Sequence, residues 1–309
     1  MTEQDVEIKS LLYDNSFKHI FLEEPKILAN LLCSLLGLDF NYEDKVEVLN
    51  SELIKQNLGD DKSICDIILK VNDTVYINCE VNKDGYTDYK RYRNEKYLYA
   101  IFYYISNHCV NYTDMKNYHL YQVNINGRSN IKNAIAFYVK KNTLTQEDLL
   151  KNFSTLNLDV AKCKKKVYNY ISDDGSYSID KRIFIGAMFA CTNLNEIRKL
   201  LKKGGIKKVN IDRLLKIMKD KNNDEAYLAC ISAEEEREME LATTRSECIE
   251  IGEKRGEKRG EKRGEKRGKK TEKVEITKNL LKKGYPEKDI SEVTKLSLSE
   301  INAIKSNLF

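Results

Sequence analysis

Apolar and polar residues alternate with a period of two along residues 64–71 and again along 75–82, and Asn72, Asp73 and Thr74 between them carry turn chemistry. This pattern predicts a β-hairpin closed by a three-residue loop. Val71 then pairs with Val75, Leu69 with Ile77, Ile67 with Cys79 and Cys65 with Val81, so that one face is entirely apolar. The same register sets Asp66 opposite Glu80 on the other face, where facing Cβ atoms lie about 5 Å apart. A slip of one residue in the register would break that pairing.

Helical periodicity frames the hairpin. Residues 8–37 read as a short helix and then a longer one that ends at Gly37 as a C-cap. A short strand follows from Val46 to Leu53. Residues 87–107 form a helix with Arg93, Tyr97 and Ile101 on one face, and two further strands run from Tyr118 to Ile125 and from Ala134 to Val139. From about 145 to 250 the pattern is helical, in segments 149–153, 160–171, 183–189, 194–203, 211–218 and 226–251. The fold class expected is α/β, a mixed sheet flanked by helices and followed by a helical region and a helical tail. The boundaries read as a sheet core over 1–145, a helical region over 146–251 that completes the body, a repeat over 252–270 and a small module over 271–309.

Two like charges opposed on a strand pair are destabilising, so something should neutralise Asp66 and Glu80. A divalent cation is one answer, since Mg²⁺ is held by one or two carboxylates with water and substrate phosphate completing its shell. The alternative is that both acids sit on an exposed face and are simply solvated.

Composition narrows the classes. Charged residues make up 33% of the 309 and hydrophobic ones 41%, as in soluble intracellular proteins. No apolar run approaches 18 residues and no charged-then-apolar leader opens the chain, which argues against membrane and secretory readings and for a cytoplasmic protein. The eight Cys are scattered without a CxxC pair and the three His are dispersed, so a zinc site is not expected. Most of the Cys sit in apolar runs and read as small core residues. Net charge is +5, unevenly placed: residues 252–309 carry 17 Lys and Arg against 10 Asp and Glu, which leaves 36 against 38 in residues 1–251.

Seven tyrosines crowd residues 86–104, with Lys90, Arg91 and Arg93 among them. Aromatics interleaved with bases can stack nucleotides, but Tyr97, Ile101 and Tyr104 are better read as core contacts. Four exact GEKR units span 252–267, with Gly268 next in the glycine series. Each interior Gly costs a helix about 1 kcal/mol against Ala, and the i,i+4 neighbours are like with like. The repeat is therefore either a marginal helix whose glycine stripe needs a partner, or a solvated tether. Beyond it, residues 271–283, 286–294 and 299–306 read as three short helices, and Ser297 with Glu300 forms a capping box. This layout is similar to a small helix-turn-helix, suited to dimerisation, docking or DNA reading.

Asp66 followed fourteen residues later by Glu80-Val81-Asn82 resembles the D…(D/E)xK core of the PD-(D/E)XK nuclease superfamily. It resembles more closely the Rpn group of recombination-promoting nucleases and transposase-like proteins, whose third motif position is frequently Gln. Asp14-Asn15-Ser16-Phe17-Lys18-His19-Ile20-Phe21 is similar to that group's N-terminal D-x-x-F-K-x-x-F signature, residues 27–37 to its first amphipathic helix, and Arg93-Asn94-Glu95-Lys96-Tyr97 to its R-x-x-x-Y helix. A charged tail with glycine repeats also fits the group. The resemblance implies a restriction-endonuclease-like fold and a Mg²⁺-dependent (or Mn²⁺-dependent) DNA endonuclease associated with recombination or transposition. In that reading Asp66 and Glu80 hold the metal and Asp14 adds a carboxylate. Asn82 positions the attacking water, Lys70 meets the nucleic acid, and Arg93 is either a partner of phosphate or carboxylate or one half of an ordinary structural ion pair. Asn82 departs from the motif, because an amide orients water without supplying positive charge. A weakened nuclease fold that acts as a DNA-binding or assembly protein, with the C-terminal helices joining copies of the chain, is the alternative. A nuclease acting on RNA, or as a growth-arresting effector, is a third.

Overall fold

The computed structural model describes residues 6–49, 66–83, 85, 87–109, 111–139, 152–173, 175 and 177–308. The chain divides into two compact units, Met1–Glu235 and Glu236–Phe309.

In the first unit, helices α1 (Asp14–Phe21) and α2 (Pro25–Leu36) open the chain, and Gly37 closes α2 in the left-handed conformation expected of a C-cap. Strands β1 (Val46–Leu49), β2 (Ile67–Val71) and β3 (Val75–Asn82) pair antiparallel. The hairpin register is the one that the alternation predicts: Val71 faces Val75, Leu69 faces Ile77 and Ile67 faces Cys79. Asn72 and Asp73 take φ of 48° and 62° in the loop, a region that these two residue types tolerate better than most. The expected pairing of Cys65 with Val81 and the expected strand residues 50–53 lie outside the described residues.

Helix α3 (Asp88–His108), capped by the Thr87 side chain, crosses from β3 to the parallel strand β4 (His119–Asn126). Strands β5 (Ile135–Val139) and β6 (Phe153–Asp159) complete a mixed sheet in the order β1-β2-β3-β4-β6-β5 among the described residues. Strand β6 corrects the expectation of helix from residue 145 onward, and Phe153, read as the end of a helix, begins this strand. Its alternation is plain once both faces are known. Ser154, Leu156 and Leu158 are buried on one side, and Asn157 and Asp159 are buried on the other. Leu156-Asn157-Leu158-Asp159 alternates in the sequence, but the run is short, and its polar residues are buried where an alternating strand ordinarily meets solvent.

Helices α4 (Val160–Ser172), α5 (Lys181–Met188), α6 (Leu194–Lys203), α7 (Lys208–Lys221) and the start of α8 (Glu225–Lys282) follow. The main core joins one face of the sheet (Ile67, Leu69, Ile77, Cys79, Val123, Leu156, Leu158) to α1, α2 and α4–α7. The opposite face is covered by α3 through a smaller cluster of Ile68, Tyr76, Tyr97, Leu98, Ile101, Ile105 and Leu120. Each such side chain fully buried is worth about 1.5–3 kcal/mol. Tyr97 and Ile101 are thus core residues and Tyr104 packs half-buried beside them, whereas Tyr89, Tyr92, Tyr99 and Tyr103 are exposed. Cys33, Cys79, Cys163 and Cys191 are buried as expected, but Cys230 and Cys248, both on α8, are exposed.

In the second unit the GEKR repeat is helical and lies within α8, where separate helices over 226–251 and 271–283 were expected. A Cβ added at Gly252, Gly256, Gly260, Gly264 or Gly268 would meet nothing within 4 Å among the described residues, so the glycine stripe has no partner there. Correctly oriented Glu-to-Lys pairs tie the two ends of the repeat to the helix on either side, Glu250 with Lys254 at 2.5 Å and Glu265 with Lys269 at 2.6 Å. Helices α9 (Glu287–Thr294) and α10 (Leu298–Ser306) close a small cluster on Ile290, Leu296 and Ile301, and the Ser297 and Glu300 capping box is formed. No helix among the described residues is long and apolar enough to cross a membrane.

Candidate active site

Asp66 stands immediately before β2, at the end of the hairpin away from its turn. Its carboxylate accepts the Val81 N–H at 2.7 Å, and its own N–H donates to Glu80 Oε1 at 3.3 Å. This exchange fixes the two acids against each other. Glu80 is fully buried beneath α3, where Asn78 Nδ2 donates to Oε1 at 3.4 Å and Arg93 Nη2 donates to Oε2 at 3.2 Å. On the other side Lys18 Nζ lies 2.9 Å from the Asp14 carboxylate and 3.4 Å from Asp66 Oδ1. Acids and bases therefore alternate from Asp14 through Lys18 to Asp66, and from Glu80 to Arg93. The solvated-face alternative fails because α3 covers this face of the sheet. The charges are offset by two side-chain cations from flanking helices.

Burial pushes the Asp66 carboxyl up to about 6. Lys18 opposes that rise, and the nearby Asp14 charge adds to it. Burial, and then the charge of Asp66, push Glu80 well above the usual carboxylate range, with Arg93 pulling the other way. Burial alone would lower Lys18, but Asp66 and Asp14 more than offset it and its ammonium is held above the ordinary lysine value.

The other expected site residues are placed as follows. Asn82 is buried on the Glu80 face of β3 and donates to Asn126 Oδ1 at 3.0 Å, while its carbonyl accepts the Gly127 N–H at 2.9 Å. Glycine is required at 127, because a Cβ there would come within 2.2 Å of the Lys83 carbonyl oxygen. Arg93 is brought to the site as a partner of Glu80. Lys70 is not brought to the carboxylates: it pairs with Asp73 at 3.2 Å, beside the hairpin turn. Lys83 points away from Glu80, and its ammonium lies 3.4 Å from the centre of the Tyr13 ring. Asp14 reaches the pair only through Lys18. The N-terminus of α1 that carries it is held by Glu234, which accepts the N–H groups of Asp14 and Asn15 at 3.0 and 3.2 Å.

Two features escaped the sequence. Lys18 is the first, although its i,i+4 spacing from Asp14 already put both on one helix face. The second is a ladder of buried amides across the α3 side of β3, β4 and β6. Asn78 donates to Gln122 at 2.8 Å and Gln122 to Asn124 at 2.8 Å; Asn94 donates to Asn124 at 2.6 Å and Asn124 to Asn157 at 2.7 Å. The period-two run Gln122, Asn124, Asn126 was its visible trace.

Mg²⁺ or Mn²⁺ asks of a protein one or two carboxylates and leaves its other positions to water and phosphate. Asp66 and Glu80 bring two carboxylates to adjacent strand positions, tied by the bond from the Asp66 N–H to Glu80 Oε1, so the donor set fits such an ion. Among the described residues there is no group of three or more His, Cys, Asp or Glu side chains arranged to hold a metal. Comparison of the chain with protein-family models, with curated proteins and with solved structures finds no match.

Proposed function

We propose that this chain is a divalent-metal-dependent DNA endonuclease of PD-(D/E)XK type, similar to the Rpn group, with Asp66 and Glu80 at its centre. The observation that carries the reading is the contact between these two acids at the mouth of the hairpin, both perturbed upward and both compensated by a cation from a flanking helix. Titratable groups perturbed by burial and by a specific charged neighbour are a recurrent feature of functional sites. Asp66 and Glu80 would hold Mg²⁺, which when bound acidifies water and offsets charge on the phosphate. The chain's own part is positioning. The Val81 N–H and the Asp66 N–H fix the two carboxylates. Arg93 and Lys18 carry charge that a phosphate oxygen accepts as readily as a carboxylate does. Asn82 orients water through its amide and depends on Asn126 for its own orientation.

A specific observation also favours the weakened-nuclease reading: the Asn82 NH₂ is already engaged by Asn126, and an amide brings no charge to the site. Nicking of supercoiled plasmid by the purified chain with Mg²⁺, and none with EDTA, is expected for the enzyme. DNA binding with no nicking in either buffer would favour the alternative.

A further inference from the structure

Beside the carboxylates, and on the same side of the sheet, lies a cavity of about 780 Å³ between α3 and strands β4, β6 and β5. Its floor is Gln122, Asn124 and Asn157 with Asn94 from α3, all buried; its rim includes Phe153 and Tyr138, the latter half exposed. A helix packed on a sheet ordinarily buries apolar side chains there, as α3 does at Ile68 and Leu120. Amides in that place are costly unless each is satisfied. Here they are bonded to one another, and Asn157 is held through its carbonyl oxygen, so among the described residues its NH₂ donates to no other side chain. The two cations on the lining, Arg91 and Lys132, are balanced by Asp88 and Glu95, so the cavity is not a phosphate sink.

We infer that this cavity takes a nucleobase of the nucleic-acid strand whose phosphate meets Asp66 and Glu80, with its polar edge on the Asn157 amide and its face against Tyr138. This deepens the nuclease reading and rests on it for the identity of the ligand. The chemistry matches on three counts. A carboxamide offers a donor and an acceptor side by side, the complement of a base edge. An aromatic ring at the rim offers a stacking surface. Glu80 faces Asn124 and Asn124 faces Asn157 in the strand register, so the floor lies one to two strand spacings, about 5–10 Å, from the Glu80 position. Hydrogen bonds also link the amides to Glu80, through Gln122 and Asn78 and through Asn94 and Arg93.

The test is equilibrium binding to the full chain in metal-free buffer, where no cleavage enters the reading, using the four nucleoside 5′-monophosphates and ribose 5-phosphate. At least one nucleotide is expected to bind, with ribose 5-phosphate weaker by tenfold or more (about the discrimination that a base contact supplies). Asn157→Leu should remove that preference. Tyr138→Ala, at the rim and outside the amide ladder, should weaken nucleotide binding about tenfold even where Asn157→Leu fails to fold. Equal binding of ribose 5-phosphate and nucleotides, or nucleotide binding unchanged by Tyr138→Ala, would overturn the inference. A parallel assay separates it from the nuclease reading. Cleavage of intact and abasic oligonucleotides at the same rate removes the base pocket and keeps the nuclease. Base-selective binding without any cleavage keeps the pocket and removes the nuclease.

Discussion

At the scale of single residues, the site is held by charges that are each out of place alone. Asp66 titrates near 6 in the fold against 3.8 when free, so the folded state binds more protons than the unfolded one across that window. Its contribution to stability is therefore complete below about pH 4 and is lost as pH rises through about 6. Asp66→Asn should thus stabilise the metal-free protein at pH 7.5 by an amount on the order of 1 kcal/mol, seen as a higher thermal midpoint, and should change the midpoint little at pH 4. An equal effect at both pH values in a thermal-melt series would show that Asp66 is not strained. Arg93→Ala works in the opposite sense, because it leaves Glu80 buried without its cation. About 3 kcal/mol of destabilisation is expected where Glu80 is ionised, and less as pH falls and Glu80, held well above the usual carboxylate range, gains its proton; urea titrations across a pH series measure it. Asn82→Lys should restore the charge missing from the motif and raise Mg²⁺-dependent cleavage on the order of 100-fold. A rate within a few-fold of the parent would assign that role to Lys18 or Arg93.

At the scale of elements, the hairpin was legible because its pattern and its turn agree, and each fixes the register without the other. The helices α1 to α3 were legible from their apolar period, with Gly37 marking the end of α2 and Thr87 standing one residue outside the start of α3. Strand β6 was not legible: its alternation is confined to Leu156 through Asp159, and its polar residues are buried, Asn157 in the amide ladder and Asp159 against Ser129 and the first turn of α4. The cation at Asp66 was not legible either, because the approach of α1 to β2 is a tertiary fact that no local spacing encodes. In α8 the local rules pointed both ways, and the helix forms although its glycine stripe meets nothing. That openness has a consequence: Gly256→Ala, Gly260→Ala and Gly264→Ala together should raise helix content and stabilise the repeat by about 1 kcal/mol per site. Circular dichroism of the variant would show it, with cleavage unchanged. A loss of solubility or activity would reveal a partner that needs the bare stripe.

At the scale of the whole molecule, charge and chemistry sit in different places. Residues 252–309 hold the positive excess, and the acids and amides of the site lie in the first unit. Ending the chain after Ile251 should leave the first unit folded, since Met1–Glu235 contains the sheet and the helices that cover it. DNA affinity should fall, and its dependence on salt should flatten as phosphate contacts are lost. Gel filtration and a salt titration of DNA binding check both. An unchanged salt slope would place the DNA-binding bases in the first unit instead.

The most direct test of the central claim is anomalous diffraction from crystals of the chain soaked in Mn²⁺. A peak about 2.0–2.2 Å from carboxylate oxygens of both Asp66 and Glu80, absent from Asp66→Asn crystals, is the expected result. Full soaking with no peak there, and with Lys18 and Arg93 still paired to the two acids, would contradict a metal-dependent centre at this site.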